Sequence, residues 1–232
     1  LALIFCKNTE RIHLQNEIED MIAAVSEEIK VHGEGYVLPG ELEIPQGSSS
    51  LVLFSHGSGS SRLSTRNQFV AGNLRENGIG TFLFDLLGAR EDNVQARFNI
   101  SLLTERLLFV TDWILKQRYT KDFTIGYFGA STGAASALNA AAKMGPRIKA
   151  VVSRGGRPDL AMPMLPRVKA ATLLLIGGLD TDVLELNRKA FERLNNPKEL
   201  KVIPGASHLF EEPGKLEEVA IQASNWFSKY LI

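Results

Sequence analysis

Phe123-Thr124-Ile125-Gly126-Tyr127-Phe128-Gly129-Ala130-Ser131-Thr132-Gly133-Ala134-Ala135-Ser136-Ala137 changes character at its centre. Residues 123–128 are mostly apolar, with β-branched and aromatic members, and predict a short buried strand. From Ala134 to Lys143 the chain is rich in alanine, the strongest helix former. Between them stands Gly129-Ala130-Ser131-Thr132-Gly133, a G-x-S-x-G pattern. Such a pattern often arises by chance, but a strand on one side and a helix on the other make it a sharp turn. The small residues at 129, 130 and 133 leave room for a serine in a strained backbone conformation. The following helix N-terminus favours negative charge developing nearby. Ser131 is therefore a candidate nucleophile, set against the simpler reading of a helix N-cap.

The same alternation extends in both directions. Short apolar runs at 51–54, 80–85, 148–152, 171–176 and 200–203 predict strands, and 65–77, 101–118, 184–194 and 215–231 predict helices. Residues 28–34 and 36–44 predict two antiparallel strands ahead of them, followed by a turn at Pro45-Gln46-Gly47-Ser48. Strands that are continuously apolar rather than alternating belong to a sheet covered on both faces. The expected class is α/β, with a mostly parallel central sheet and helices on both faces. Residues 153–170 are too few to hold a large lid domain. Residues 12–26 have the spacing of an amphipathic helix outside this pattern. The chain thus divides into an N-terminal arm or remnant of an upstream domain, 1–27, and a main domain, 28–232.

Composition narrows the function classes. The 26 basic and 26 acidic residues balance, and no like-charge run suggests a nucleic-acid groove or an anionic membrane surface. No apolar run approaches the roughly 20 residues of a membrane-spanning helix. The apolar opening, residues 1–6, is too short for a signal-peptide core. The single cysteine, Cys6, cannot close an internal disulfide, and no Cys/His spacing fits a metal. A cytoplasmic setting without a bound metal is the expectation.

In parallel sheets, ligands sit beyond the carboxyl ends of the strands, so chemically useful residues should follow strands. A serine hydroxyl needs a base. The chain has 4 histidines. His13 and His32 lie at the wrong end of the pattern and are expected at the surface. His208, in Gly205-Ala206-Ser207-His208-Leu209-Phe210, follows the last strand and is the expected base. His56 also ends a strand, but Gly57-Ser58-Gly59 after it suggests a loop whose backbone N–H groups receive an oxyanion. Ser58 and Thr132 are the expected donors, with the His56 side chain pinning the loop. No Gly-Lys-Ser/Thr and no third glycine support a nucleotide-binding loop there. Asp180, after the strand at 171–176, is the expected orienting acid, with Asp182 as runner-up. Arg62, Arg154 and Arg157 lie in strand-end loops. They can hold a substrate carboxylate or serve in structural ion pairs.

Taken together, His56-Gly57-Ser58-Gly59-Ser60-Ser61-Arg62, the Ser131 turn, Ser153-Arg154-Gly155-Gly156-Arg157-Pro158-Asp159-Leu160, Gly178-Leu179-Asp180 and Ala206-Ser207-His208-Leu209-Phe210 carry a resemblance. From about residue 28 onward the chain resembles the dienelactone hydrolase-related branch of the α/β-hydrolases, whose triads follow the order Ser131, Asp180, His208. The resemblance implies ester or lactone hydrolysis without a cofactor. True dienelactone hydrolases use a cysteine nucleophile. A serine at 131 points instead to a general carboxylesterase working through an acyl-enzyme on a small-molecule substrate. Acyl transfer to another acceptor, cleavage of a short peptide, or ligand binding without catalysis are the rival expectations. Some relatives are joined to a phosphoribosyltransferase domain, of which the helix at 12–26 can be a remnant. A homodimer contact is another use for it. Neither nucleic acid nor membrane is an expected partner.

Overall fold

The computed structural model describes residues 24–232. A hairpin opens the fold: β1 (Val25–Gly33) and β2 (Tyr36–Ile44) pair antiparallel, with Gly35 at positive φ in the connecting turn. Six more strands follow in alternation with helices. They are β3 (Ser50–Ser55), β4 (Gly80–Phe84), β5 (Thr124–Ala130), β6 (Ile148–Arg154), β7 (Ala171–Gly177) and β8 (Lys198–Ile203). The helices are α1 (Thr65–Glu76), α2 (Val94–Phe98), α3 (Ile100–Ile114), α4 (Thr132–Met144), α5 (Thr181–Arg193) and α6 (Lys215–Leu231). The eight-stranded sheet has the order β1-β2-β4-β3-β5-β6-β7-β8. β2 joins β4 antiparallel, and every pairing from β4 to β8 is parallel.

Every residue of β3, β4 and β7 is buried, as the continuous apolar runs require. Alternate side chains feed two core layers. Val52, Phe54, Phe128 and Val152 pack under α1 and α6. Leu51, Leu53, Tyr127 and Val151 pack under α3, α4 and α5. Because the central strands are parallel, their carboxyl ends share one edge, and the loops after β3, β5, β7 and β8 meet there.

The expected class holds, with local differences. β1 starts at Val25, and its first residues pair with Ile44, Glu43 and Leu42. Sheet pairing therefore claims residues 25–27, which the sequence reading placed in the arm; the remainder of the expected helix, and Cys6 and His13, lie outside the described residues. α3 stops at Ile114, where the Thr120 hydroxyl takes up the Ile114 carbonyl. α2 was not expected, because Val94 and Phe98 are exposed and leave no apolar periodicity. Between β6 and β7 lie only two short 3₁₀ turns, Pro158–Ala161 and Leu165–Arg167, and no lid. No helix among the described residues is long and apolar enough to cross a membrane.

Candidate active site

At the end of β5 the chain turns directly into α4, and Ser131 takes φ 51° and ψ −123°. For a residue with a Cβ this left-handed conformation is strained, and it persists only where neighbours impose it. Three backbone bonds do so. The Ser131 N–H donates to the Arg154 carbonyl (3.2 Å), while its own carbonyl accepts from Ala134 (3.1 Å) and Arg157 (3.0 Å). Close approach explains the flanking glycines: a Cβ on Gly129 would stand 2.5 Å from the Ala134 Cα, and one on Gly133 would collide with the Ser55 carbonyl. Buried Ser136 bridges Ser55 Oγ (2.6 Å) and the Gly133 carbonyl (2.9 Å), tying α4 to the end of β3. The Ser131 hydroxyl makes no capping bond to α4, so the N-cap reading does not describe its side chain.

His208 and Asp180 come together from successive strand ends. The Asp180 carboxylate accepts from His208 Nδ1 at 2.6 Å. That bond leaves the Nε2 lone pair as the free basic site of the ring. The loops carrying them are stitched by backbone bonds, Leu179 N–H to the Ala206 carbonyl and Gly178 N–H to the Ile203 carbonyl, both 2.9 Å. Asp182 lies exposed in the first turn of α5 and takes no part. Glu212, which nothing in the sequence singled out, accepts the Ser207 N–H with both oxygens (3.1 and 3.0 Å) and so braces the His208 loop. Those bonds hold its carboxyl below the ordinary range. His208 also lies close to the elbow. A Cβ on Gly155, next to the residue that binds the Ser131 N–H, would be 3.5 Å from His208 Cε1. No hydrogen bond joins Ser131 to His208 among the described residues; in hydrolases that contact commonly tightens when substrate arrives.

The His56 loop is pinned as expected. His56 Nε2 accepts the Leu86 N–H (3.1 Å), which makes Nδ1 the protonated nitrogen, donating to the Gly57 carbonyl (3.0 Å). Both nitrogens are used by the neutral ring, and burial lowers its pKa below the ordinary value, outweighing the Gly57 bond and nearby Asp85. A histidine depressed in the folded state leaves stability unaffected while both states are neutral. Below about pH 6.5 the unfolded chain takes the proton first, so stability falls with pH, by at most about 1.4 kcal/mol per pH unit. Urea unfolding from pH 7.5 down to about 5 should show this slope, and His56→Gln should flatten it. An equal slope in both proteins would remove His56 as its source.

One expected role needs correction. The Ser58 N–H is not free to meet an oxyanion, because it donates to the Thr132 hydroxyl at 2.8 Å. The Thr132 backbone N–H, at the first position of α4, has no intrahelical partner. Two of the three arginines are also committed to protein carboxylates. Arg62 binds Asp85 through its N–H (2.8 Å) and Nη1 (2.7 Å), with Glu41 at 3.7 Å. Arg157 grips Asp159 through Nε and Nη2, both at 2.8 Å. The structural ion-pair reading describes both better than a substrate contact. Arg154 is buried and has no such partner among the described residues.

A cavity of about 600 Å³ opens beside Gly57 and Ser58. Val37, Pro39, Leu87 and Leu103 supply apolar wall, and Lys30, His32 and Arg97 bring charge and polarity. Gly57 links it to the elbow, since a Cβ there would lie 3.7 Å from Ser131 Oγ. The contribution of the β1–β2 hairpin to this cavity had no signal in the sequence. Among the described residues no cluster of three or more His, Cys, Asp or Glu side chains is placed to hold a metal.

Comparison with known proteins adds to this geometry. The dienelactone hydrolase family matches over residues 79–230, which take in Ser131, Asp180 and His208. The chain belongs to the dienelactone hydrolase family. A dienelactone hydrolase from Anabaena variabilis is 48% identical and superposes with a TM-score of 0.87, covering 90% of this chain and 99% of its own. Est1E from Butyrivibrio proteoclasticus shares the fold at 18% identity and a TM-score of 0.75, over 87% of this chain and 98% of that one. So does a serine hydrolase without a lid from Xanthomonas campestris, at 20% identity and 0.72, over 89% and 95%. The chain is also 50% identical over 206 residues to a Mycobacterium tuberculosis protein provisionally named a phosphoribosyl transferase. That alignment takes in 88% of this chain but 46% of the relative, so the chain spans about half the length of the curated relatives it matches. The family match and the shared fold cover the same residues that carry the elbow and the His208–Asp180 pair.

Proposed function

We propose that this chain is a hydrolase, a serine esterase that cleaves a carboxylic ester or lactone through an acyl-enzyme. The observation that carries this reading is the 2.6 Å bond from His208 to Asp180 on the same sheet edge as the strained Ser131 elbow. Asp180 holds His208 with Nδ1 protonated, so Nε2 takes the Ser131 proton as Oγ attacks the ester carbonyl carbon. The tetrahedral intermediate collapses, His208 returns the proton to the leaving alcohol, and an acyl-serine remains. Water then gives its proton to Nε2 and attacks the acyl carbon, releasing the acid and restoring Ser131. The apolar wall of the cavity at Gly57 suits the hydrocarbon part of such a substrate. Because the match takes in only 46% of the Mycobacterium tuberculosis relative, its transferase name does not decide between the two readings for this chain. Fluorophosphonate labelling and hydrolysis of p-nitrophenyl acetate, in wild type and Ser131→Ala, test the reading.

Within this mechanism Thr132 supplies both oxyanion donors. Its backbone N–H is one. Its hydroxyl, with the acceptor side filled by the Ser58 N–H, has its own proton left to donate and is polarised by that bond. Thr132→Val keeps the shape and removes the hydroxyl. It should lower kcat by about 10²-fold with KM little changed, and Thr132→Ser should restore most of the rate. A valine variant as fast as wild type would mean that the hydroxyl merely competes with the oxyanion for Ser58.

A further inference from the structure

The arginines that brace the fold all have carboxylates: Arg62 has Asp85, Arg75 has Glu43, Arg106 has Glu91 and Arg157 has Asp159. Arg154 is buried yet has no carboxylate partner among the described residues. It is 7% exposed, and its Nε and Nη1 are buried with no hydrogen-bond partner. Ala150 and Val152, which alternate with it along β6, belong to the core layer under α1 and α6, so its side chain enters that layer at the carboxyl edge. Arg66, in the first turn of α1, is near enough for its charge to act on Arg154. Arg66 holds the exposed Glu211 through Nη1 at 3.0 Å, while its own Nε is buried and unbonded. Burial, and then the Arg66 charge, push the Arg154 pKa down to about 10, which leaves it a cation at neutral pH.

The one carboxylate at this pair, Glu211, is held by Arg66 at the surface, and none reaches Arg154 among the described residues. A buried charge without a counter-ion is among the costliest arrangements in a protein, so the missing partner has a sign and a chemistry. The unbonded N–H groups match the spaced oxygens of a carboxylate or a phosphate. We propose that Arg154 and Arg66 form an anion site for a small oxyanion, carboxylate or phosphate, behind the Ser131 elbow. It is separate from the cavity at Gly57, whose wall does not include either arginine. This site goes beyond the esterase reading and does not depend on it.

The test is thermal unfolding and calorimetry of the full chain titrated with inorganic phosphate, and separately with acetate, against chloride at matched ionic strength. Wild type should show a saturable rise in Tm with phosphate or acetate beyond that with chloride, and the responding anion identifies the class. Arg154→Met should lose the rise, and Arg66→Gln should weaken binding several-fold. Should Arg154→Met fail to fold by circular dichroism, the Arg66→Gln titration decides. A wild-type response no larger than that to chloride overturns the site and leaves a hydrated arginine. So does a saturable response unchanged in the variants. Fluorophosphonate labelling of Ser131 in the same samples reports on the esterase reading independently.

Discussion

Replacing Ser131 with alanine is expected to lower ester turnover by about 10⁶-fold and to abolish fluorophosphonate labelling, with the fold intact. The hydroxyl takes no part in capping α4, so removing it orphans no helix N–H. The strained φ is already borne by a residue with a Cβ, so alanine adds little strain at that position. What disappears is the hydroxyl proposed to attack the ester. His208→Ala should cost a similar factor, and the double variant should be no slower than either alone, because nucleophile and base act as a unit. Steady-state kinetics with p-nitrophenyl acetate and circular dichroism of each variant are the measurements. Turnover within tenfold of wild type in Ser131→Ala would place the nucleophile elsewhere.

Asp180→Asn is expected to lower kcat by about 10⁴-fold while KM moves little. The carboxylate now accepts from His208 Nδ1 at 2.6 Å. An asparagine can turn its amide NH₂ toward that nitrogen, which favours the tautomer protonated at Nε2. That tautomer cannot accept the Ser131 proton. The fold should tolerate the change, since backbone bonds from Gly178 and Leu179 hold the loop without the carboxylate. Asp182→Asn is the control, expected within about twofold of wild type because Asp182 is an exposed side chain of α5. A loss in Asp182→Asn equal to that in Asp180→Asn would reverse the assignment.

Legibility followed the range of the interactions. The Ser131 turn could be read because strand, small residues and alanine-rich helix are contiguous, and each imposes its own backbone state. The spatial order of the strands could not. β4 lies between β2 and β3, and that depends on which buried edges pair across the sheet. Among the arginines, the partner of Arg157 is two residues away and in principle readable, whereas Arg62 finds Asp85 23 residues on. Glu212 was missed because a carboxylate after a histidine carries no pattern until the chain folds back on Ser207.

The residue order alone determined the α/β class, the elbow at Ser131, and the placing of Asp180 and His208 after successive strands. These follow from hydrophobic runs, helix propensity and sterics within a few residues. Tertiary structure decided that Asp180 rather than Asp182 meets His208, because close approach of the loops after β7 and β8 aims only one of the two carboxylates. It also decided that Ser58 gives its N–H to Thr132, and that no carboxylate among the described residues reaches Arg154. Whether a polar group is free, bonded or orphaned depends on what the rest of the chain packs against it, and no local pattern encodes that.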